Sequence, residues 1–269
     1  MTTQTEATKS AFPPIVSGFG YSPIAPALWQ LDPESQLSYR NLSLDHASAD
    51  VLKSRHLRAA GVMTTTSALG DARSSFAFLF VLSGKVVLQE AGRDAVSLNA
   101  LDSVCRYGSG PDVTWQLSHD AEVVEMVAAL PAAATLGFTA LAPGQWQINL
   151  DDESIYTLGE GPRKYFKYRD LGVAAATGRR IHIHVVRSIK AIDGGTGWHS
   201  HSMGQLFYVL RGWADLAVQH QPWVRMFAGD AMCLAPGMEH NVPGFTADYL
   251  VLEMCIPADY DTVDSAPPV

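Results

Sequence analysis

The hydrophobic pattern of this chain is that of short strands joined by tight turns. In FAFLFVLSGKVVLQE, residues 76 to 90, one apolar run meets a Ser83-Gly84 turn and a second run follows, which predicts a β-hairpin. Residues 204 to 219, GQLFYVLRGWADLAVQ, repeat the arrangement. Laid over each other with Gly84 on Gly212, the two segments point to an internal duplication of one strand-rich unit, about 130 residues apart. GRRIHIHVVRS alternates as a half-buried strand does, DGGTG breaks it, and MFAGDAMCLAPG reads as turn, strand and turn. Helical periodicity is scarce. The stretch 120–139, DAEVVEMVAALPAAATLGFT, reads as a strand followed by a short helix opening after Pro131. The fold class predicted is all-β, with few short helices.

Polarity along the chain divides it. Residues 1–38 form an N-terminal arm, polar and then proline-rich; its Phe19, Tyr21, Ile24 and Trp29 require a surface to pack on, in this chain or in a second subunit. Residues 39–142 form a first strand-rich domain, 143–162 a polar linker, 163–257 a second strand-rich domain and 258–269 an acidic tail. With 269 residues, 47% of them hydrophobic, the chain can furnish two cores.

Charge narrows the partners. The net charge of −8 and the lack of any Lys/Arg run argue against nucleic acid and anionic lipid, and no uncharged apolar run reaches membrane-spanning length. The opening MTTQTEATKS has no basic, apolar leader pattern, so a soluble, cytoplasmic protein is expected. Cys105, Cys233 and Cys255 are odd in number and lack CxxC spacing; they are read as reduced packing residues. GxSxG, Walker and GxGxxG patterns are missing, which removes the starting motifs of serine hydrolases, nucleotide triphosphatases and Rossmann enzymes.

The candidate chemistry lies in the second domain. His199 and His201 are two apart, so on a strand their imidazoles share one face and can grip one ion. Gln205 follows after Met203-Gly204, and Gly229-Asp230, a short strand and Pro236-Gly237 lead to His240.

GTGWHSHSMGQLFYVLRG resembles the first motif of the cupin superfamily, and GDAMCLAPGMEH resembles the second. The resemblance implies two tandem cupin (jelly-roll) domains and one divalent metal held by His199, His201 and His240, with Gln205 where the family has a glutamate. Ala235 stands where the second motif has its proline, which here is Pro236. An amide in place of a carboxylate leaves the bound ion near +2 and favours an anionic, chelating substrate. Gln205 either ligates directly or hydrogen-bonds a metal-bound water. Substrate-pocket candidates are Trp198, Met203, Phe207, His182, His184 and Met238. The alternate pair His182 and His184 has no partner acid at cupin spacing, so it marks a polar strand face or a substrate contact, with Arg180 a further anion contact.

In the first domain the same alignment puts Asp71 and Arg73 opposite the two histidines, Ala77 opposite Gln205 and Asp112 opposite His240, so no metal set survives there. What the resemblance implies for activity is a mononuclear metal enzyme, first of all an Fe(II) dioxygenase using O2 on a hydroxylated aromatic, diketone or hydroxy/keto acid. The alternatives are a redox-neutral isomerase, lyase or hydrolase on Mn, Ni, Zn or Co, with Glu239, Tyr208 or His184 as acid or base, and a non-catalytic metal- and small-molecule-binding protein. A homodimer is expected.

Overall fold

A computed structural model describes residues 18–268 apart from 26, 45–51, 66–74, 109, 129–143 and 161–163. The arm carries β1 (Phe19–Ser22) and β2 (Gln30–Leu31), and β3 (Ser38–Asn41) and β4 (Leu52–Arg58) follow. Next come β5 (Met63–Thr65), β6 (Phe76–Ser83), β7 (Lys85–Glu90), β8 (Val96–Asn99), β9 (Ser103–Tyr107), β10 (Val113–Leu117), β11 (Glu122–Ala128) and β12 (Trp146–Asn149). The second half holds β13 (Thr157–Leu158), β14 (Phe166–Asp170), the one-turn helix α1 (Val173–Ala176), β15 (His182–Ser188), β16 (Ile192–Asp193), β17 (His199–His201) and β18 (Gly204–Arg211). It ends with β19 (Trp213–Val218), β20 (Val224–Phe227), β21 (Ala231–Leu234), β22 (His240–Phe245), β23 (Leu250–Ile256) and β24 (Thr262–Asp264). The all-β expectation holds. The helix expected after Pro131 falls outside the described residues, and no described helix is long and apolar enough to cross a membrane.

Each half is a pair of antiparallel sheets. The first pairs a seven-stranded sheet, β12-β9-β6-β11-β4-β3-β2, with a four-stranded one, β5-β10-β7-β8. The second pairs β1-β21-β18-β23-β15-β14-β13 with β20-β19-β22-β17-β24, where β16 also joins β22. Within the polar segment between the halves, β12 pairs with β9 of the first half and β13 with β14 of the second.

The two seven-stranded sheets pack back to back. On β6, Phe76, Phe78 and Phe80 meet Ile183, Val185, Leu206, Tyr208, Leu252 and Met254 of the second half. The intervening Ala77, Leu79 and Val81 turn into the first barrel with Trp115, Leu88 and Leu98. Both faces of these strands are buried, which is why their sequences run apolar without a break instead of alternating. In the second barrel the interior residues include Phe207, Val209, Val251, Phe245 and Leu216.

The hairpin equivalence is visible in the backbone. Gly84 and Gly212 occupy matching turns with φ of +68° and +69°. A Cβ at Gly84 would lie 2.7 Å from the Ala121 backbone, and one at Gly212 would collide with Thr246 and Asp248, so both turns demand glycine. The arm pairs β1 with β21, Phe19 opposite Leu234. Asp230 fastens it, accepting from Ile24 N at 2.7 Å and from Phe227 N of its own turn at 2.8 Å. Cys105, Cys233 and Cys255 are buried and unbridged.

One polar cluster crosses the interface. Glu122 accepts from His56 Nε2 at 2.8 Å, so His56 Nδ1 is the acceptor for Tyr208 OH at 3.1 Å, and Trp29 meets the imidazole edge-on. Burial, with nearby Arg40 and Arg58 adding to it, lowers the His56 pKa despite Glu122. The hydrogen bond from His56, with help from Arg58, outweighs burial and holds Glu122 at about 2. Both groups thus take up protons at lower pH when folded than when unfolded. Their contribution is present above the unfolded values and is lost in two stages, first as pH falls below about 6.5 for His56, then between 4.5 and about 2 for Glu122. Urea unfolding should accordingly show a midpoint that falls from about pH 7.5 to about pH 5.5, with a shallower fall in His56→Gln. Equal slopes in the two proteins would show that His56 is not the group responsible.

Candidate metal centre

Three imidazoles converge inside the second barrel. His199 and His201 lie on β17 with the alternate spacing that turns both the same way, and His240 opens β22, in register with His199. All three are buried, and their potential ligand atoms lie within 4.8 Å of one another. The ring centroids are 4.4 Å apart for His199 and His240, and 4.9 Å for His199 and His201.

Their protonation suits a cation. His199 Nδ1 faces Gly197 O at 2.8 Å and His240 Nδ1 faces Met238 O at 3.0 Å. A carbonyl only accepts, so each Nδ1 carries a proton, and Nε2 is the nitrogen left to face an ion. Burial, reinforced by the neighbouring His199, drives the His240 pKa down to about 3. A cluster that holds an imidazole neutral so far below its ordinary value, with the tautomer fixed by its outer contacts, is the donor set a divalent first-row ion requires.

The tail completes this wall. β24 pairs with β17, setting Thr262 opposite His201, and Thr262 Oγ1 lies 2.8 Å from His201 Nδ1. The Tyr260 ring meets His201 edge-on at 5.3 Å. Sequence reading gave this segment no chemistry. Its signal was faint, since Thr262, Val263 and Asp264 are exposed and form too short a run to announce a strand.

Gln205 comes from the opposite sheet, on β18, and is buried beside the histidines in a cavity of about 720 Å³. Its Nε2 donates to Glu253 of the neighbouring β23. Because an ionised carboxylate can only accept, the amide nitrogen must face Glu253, and Oε1 is the atom Gln205 has left for an ion or its water. Burial would raise the Glu253 pKa, but His184 and the Gln205 amide prevail and hold it at about 2. A polar row therefore crosses the sheet: Gln205 to Glu253, Glu253 to His184 Nε2 at 2.9 Å, and His184 Nδ1 to His182 Nε2 at 2.7 Å. His182 and His184 are thus part of the same site. Glu253 itself was missed, although a lone acid inside the apolar run LVLEMCI was the available signal.

Glu253, His184 and Cys255 also bring potential ligand atoms within 4.8 Å of one another. Burial, with Glu253 adding to it, raises the Cys255 thiol well above its ordinary pKa, so this group is better described as a hydrogen-bonded network.

Phe207, His182 and His184 line the cavity, as do Phe166, Tyr168 and Tyr249. Trp198, Met203 and Met238 do not. Trp198 immediately precedes β17, where its carbonyl accepts from Ser265 N; Met203 is buried outside the lining; Met238 packs against the barrel core. Arg180 is buried against Tyr107 of the first half and is not an anion contact of this cavity. Tyr208 is turned toward His56, and Glu239 is outside the lining, which leaves His184 of the three acid–base candidates. In the first half, Ala77 is barrel core and Asp112 is exposed, while Asp71 and Arg73 fall outside the described residues. Among the described residues no metal-type cluster occurs there.

Comparison with known proteins agrees with this architecture. A family model of the cupin domain matches residues 189–251, which span the histidine pair, Gln205 and His240. No curated protein sequence matches. Among solved structures, the chain is similar to protein Ylba from E. coli, at TM-score 0.66 and 10% identity over 96% of this chain and 98% of that one. It is also similar to oxalate decarboxylase from Lactobacillus farciminis, at TM-score 0.62 and 11% identity over 94% and 90%. A mutant of the Bacillus subtilis oxalate decarboxylase OxdC, an enzyme described with Mn(II) centres, gives TM-score 0.57 and 16% identity over 94% and 81%. Likeness at these identities is likeness of fold. The cupin-domain match thus falls on the ligand-bearing strands of the second half, and the two-barrel fold of these structures is shared along nearly the whole length of the chain.

Proposed function

We propose that this protein is a mononuclear metal enzyme whose ion is held by His199, His201 and His240 and whose small substrate enters the cavity beside them. The observation that carries the reading is the outer anchoring of three buried, convergent imidazoles, by Gly197 O, Met238 O and Thr262 Oγ1, at one wall of a cavity of about 720 Å³. Three imidazole nitrogens would leave positions for substrate, and the ion, Fe(II) in the first reading, would supply Lewis acidity and, as iron, electrons for dioxygenation of a chelating substrate.

The protein's own groups divide the remaining work. Gln205, its amide nitrogen held by Glu253, would offer its amide oxygen to the ion or to a water on it. Phe207, Phe166 and Tyr249 provide apolar walls that exclude water around a small aromatic or diketone-like body. The His184–Glu253 pair holds a proton within reach of the cavity, with the carboxylate fixing the imidazole as such partners do in acid–base pairs. That pair also favours a second reading, redox-neutral chemistry on Mn, Zn, Ni or Co with His184 as acid or base.

Metal analysis of the anaerobically purified protein is expected to give near-stoichiometric iron that a His199→Ala, His201→Ala variant loses, with O2 uptake on catechols, hydroxybenzoates or 1,3-diketones. Bound metal without O2 uptake would select the redox-neutral reading, and no metal even after reconstitution would overturn both. Thr262→Val, which removes the His201 Nδ1 partner, should weaken metal binding about 10-fold by competition with a chelator while leaving the far-UV circular dichroism unchanged.

A further inference from the structure

The polar row across the second barrel has a direction. Glu253 is a carboxylate and only accepts: Oε1 takes the Gln205 amide, and Oε2 lies 2.9 Å from His184 Nε2, so His184 carries its proton there. A neutral ring protonated at Nε2 has a lone pair at Nδ1, and His182 Nε2 donates to that lone pair across 2.7 Å. Both hydrogen bonds therefore point from His182 toward Glu253. His184 lines the cavity, yet its two nitrogens are both engaged inside the row.

His182 ends the row with one nitrogen left over. Its Nδ1 makes no hydrogen bond among the described residues: Asp170 Oδ1 stands 3.8 Å away, too far for one, and accepts from Gly172 N at 2.8 Å. The groups facing His182 are Asp170 on β14, His184 beside it, Glu253 and Cys255 on β23, and Arg179, whose guanidinium is paired with Asp259. Burial, with His184 adding to it, lowers the His182 pKa, which keeps Nδ1 free of a proton at neutral pH. The ring lines the cavity. Strand register also sets its distance from the metal centre: His182 opposes Cys255 and Cys255 opposes Gln205, two strand spacings or roughly 10 Å across the sheet.

We infer that His182 is the acid–base residue of this cavity, exchanging a proton with the substrate at Nδ1, and that His184 and Glu253 are positioning residues that fix its tautomer. This rests on the three-histidine centre proposed above, and it moves the exchange of the proton from His184 to its neighbour. The substrate is accordingly two-ended, with a chelating head at the ion and a hydroxyl or similar group bearing an exchangeable hydrogen farther along. Taking that hydrogen as a proton makes His182 an imidazolium, which the Asp170 and Glu253 carboxylates both favour, and giving it back restores the row.

Nitrogen-15 NMR of histidine-labelled protein, metal-free and zinc-loaded, tests the inference. At pH 8 both His182 and His184 are expected as Nε2–H tautomers, and as pH falls the first proton taken up by the pair should appear on His182 Nδ1. Glu253→Met removes the acceptor and should leave His182 a mixture of its two tautomers. His182→Gln, whose amide still donates to His184 Nδ1, should keep His184 in the Nε2–H form while the titration disappears. 2,4-Dihydroxybenzoate, with a hydroxyl across the ring from its chelating carboxylate, should shift the His182 Nδ1 resonance of the zinc-loaded protein, and 2-hydroxybenzoate should leave it in place. A proton on His182 Nδ1 at pH 8, or the same response to both ligands, would overturn the inference and leave the metal centre standing. An unchanged tautomer in folded Glu253→Met would overturn the role of Glu253, and failure of the wild-type protein to bind zinc would overturn the metal centre and the two-ended substrate together.

Discussion

Burial of both faces of the central strands is the constraint on which this molecule depends. Each seven-stranded sheet is at once the wall of its own barrel and half of the contact between barrels, so β6, β11, β18 and β23 have no face left for water. Fully burying one large apolar side chain contributes about 1.5–3 kcal/mol, and the contact gathers many of them. The register this imposes is also what aims the chemistry. With Leu206 and Tyr208 fixed toward the first half, Gln205 and Phe207 must turn into the second barrel.

The same fold repeated twice has been used in two ways. The first barrel is filled, with Trp115 fully buried at its centre among Leu79, Leu88 and Leu98. The second replaces part of such a core with five histidines, a glutamine and a glutamate around open space. Polar groups are costly to bury unless each finds a partner, and here the outer nitrogens of the three convergent imidazoles meet carbonyl or hydroxyl oxygens while Glu253 collects Gln205 and His184. The filled barrel gives the hollow one a rigid back.

Much of this was legible in the sequence because it rests on short-range rules. Alternation placed His199 and His201 on one face, and the glycine turns at Gly84 and Gly212 revealed the repeated hairpin. What escaped was set by contacts distant along the chain. A strand that is apolar on both sides does not say which side faces which partner, so Tyr208 read as an acid or base candidate when it belongs to the interface. Met203 and Met238 were close to the ligands in sequence, yet proximity along a turn is not direction. Glu253 and Thr262 enter the site through strand pairing with β18 and β17, which no local pattern specifies.

The pairing of β1 with β21 joins segments roughly two hundred residues apart, so the arm is synthesised long before the edge it will cover exists. Until it docks, β21 presents an open row of amides and carbonyls, and the incoming strand is recognised by backbone geometry and by Asp230, neither of which distinguishes one molecule's arm from another's. Docking of the arm therefore waits until β21, near the far end of the chain, is in place.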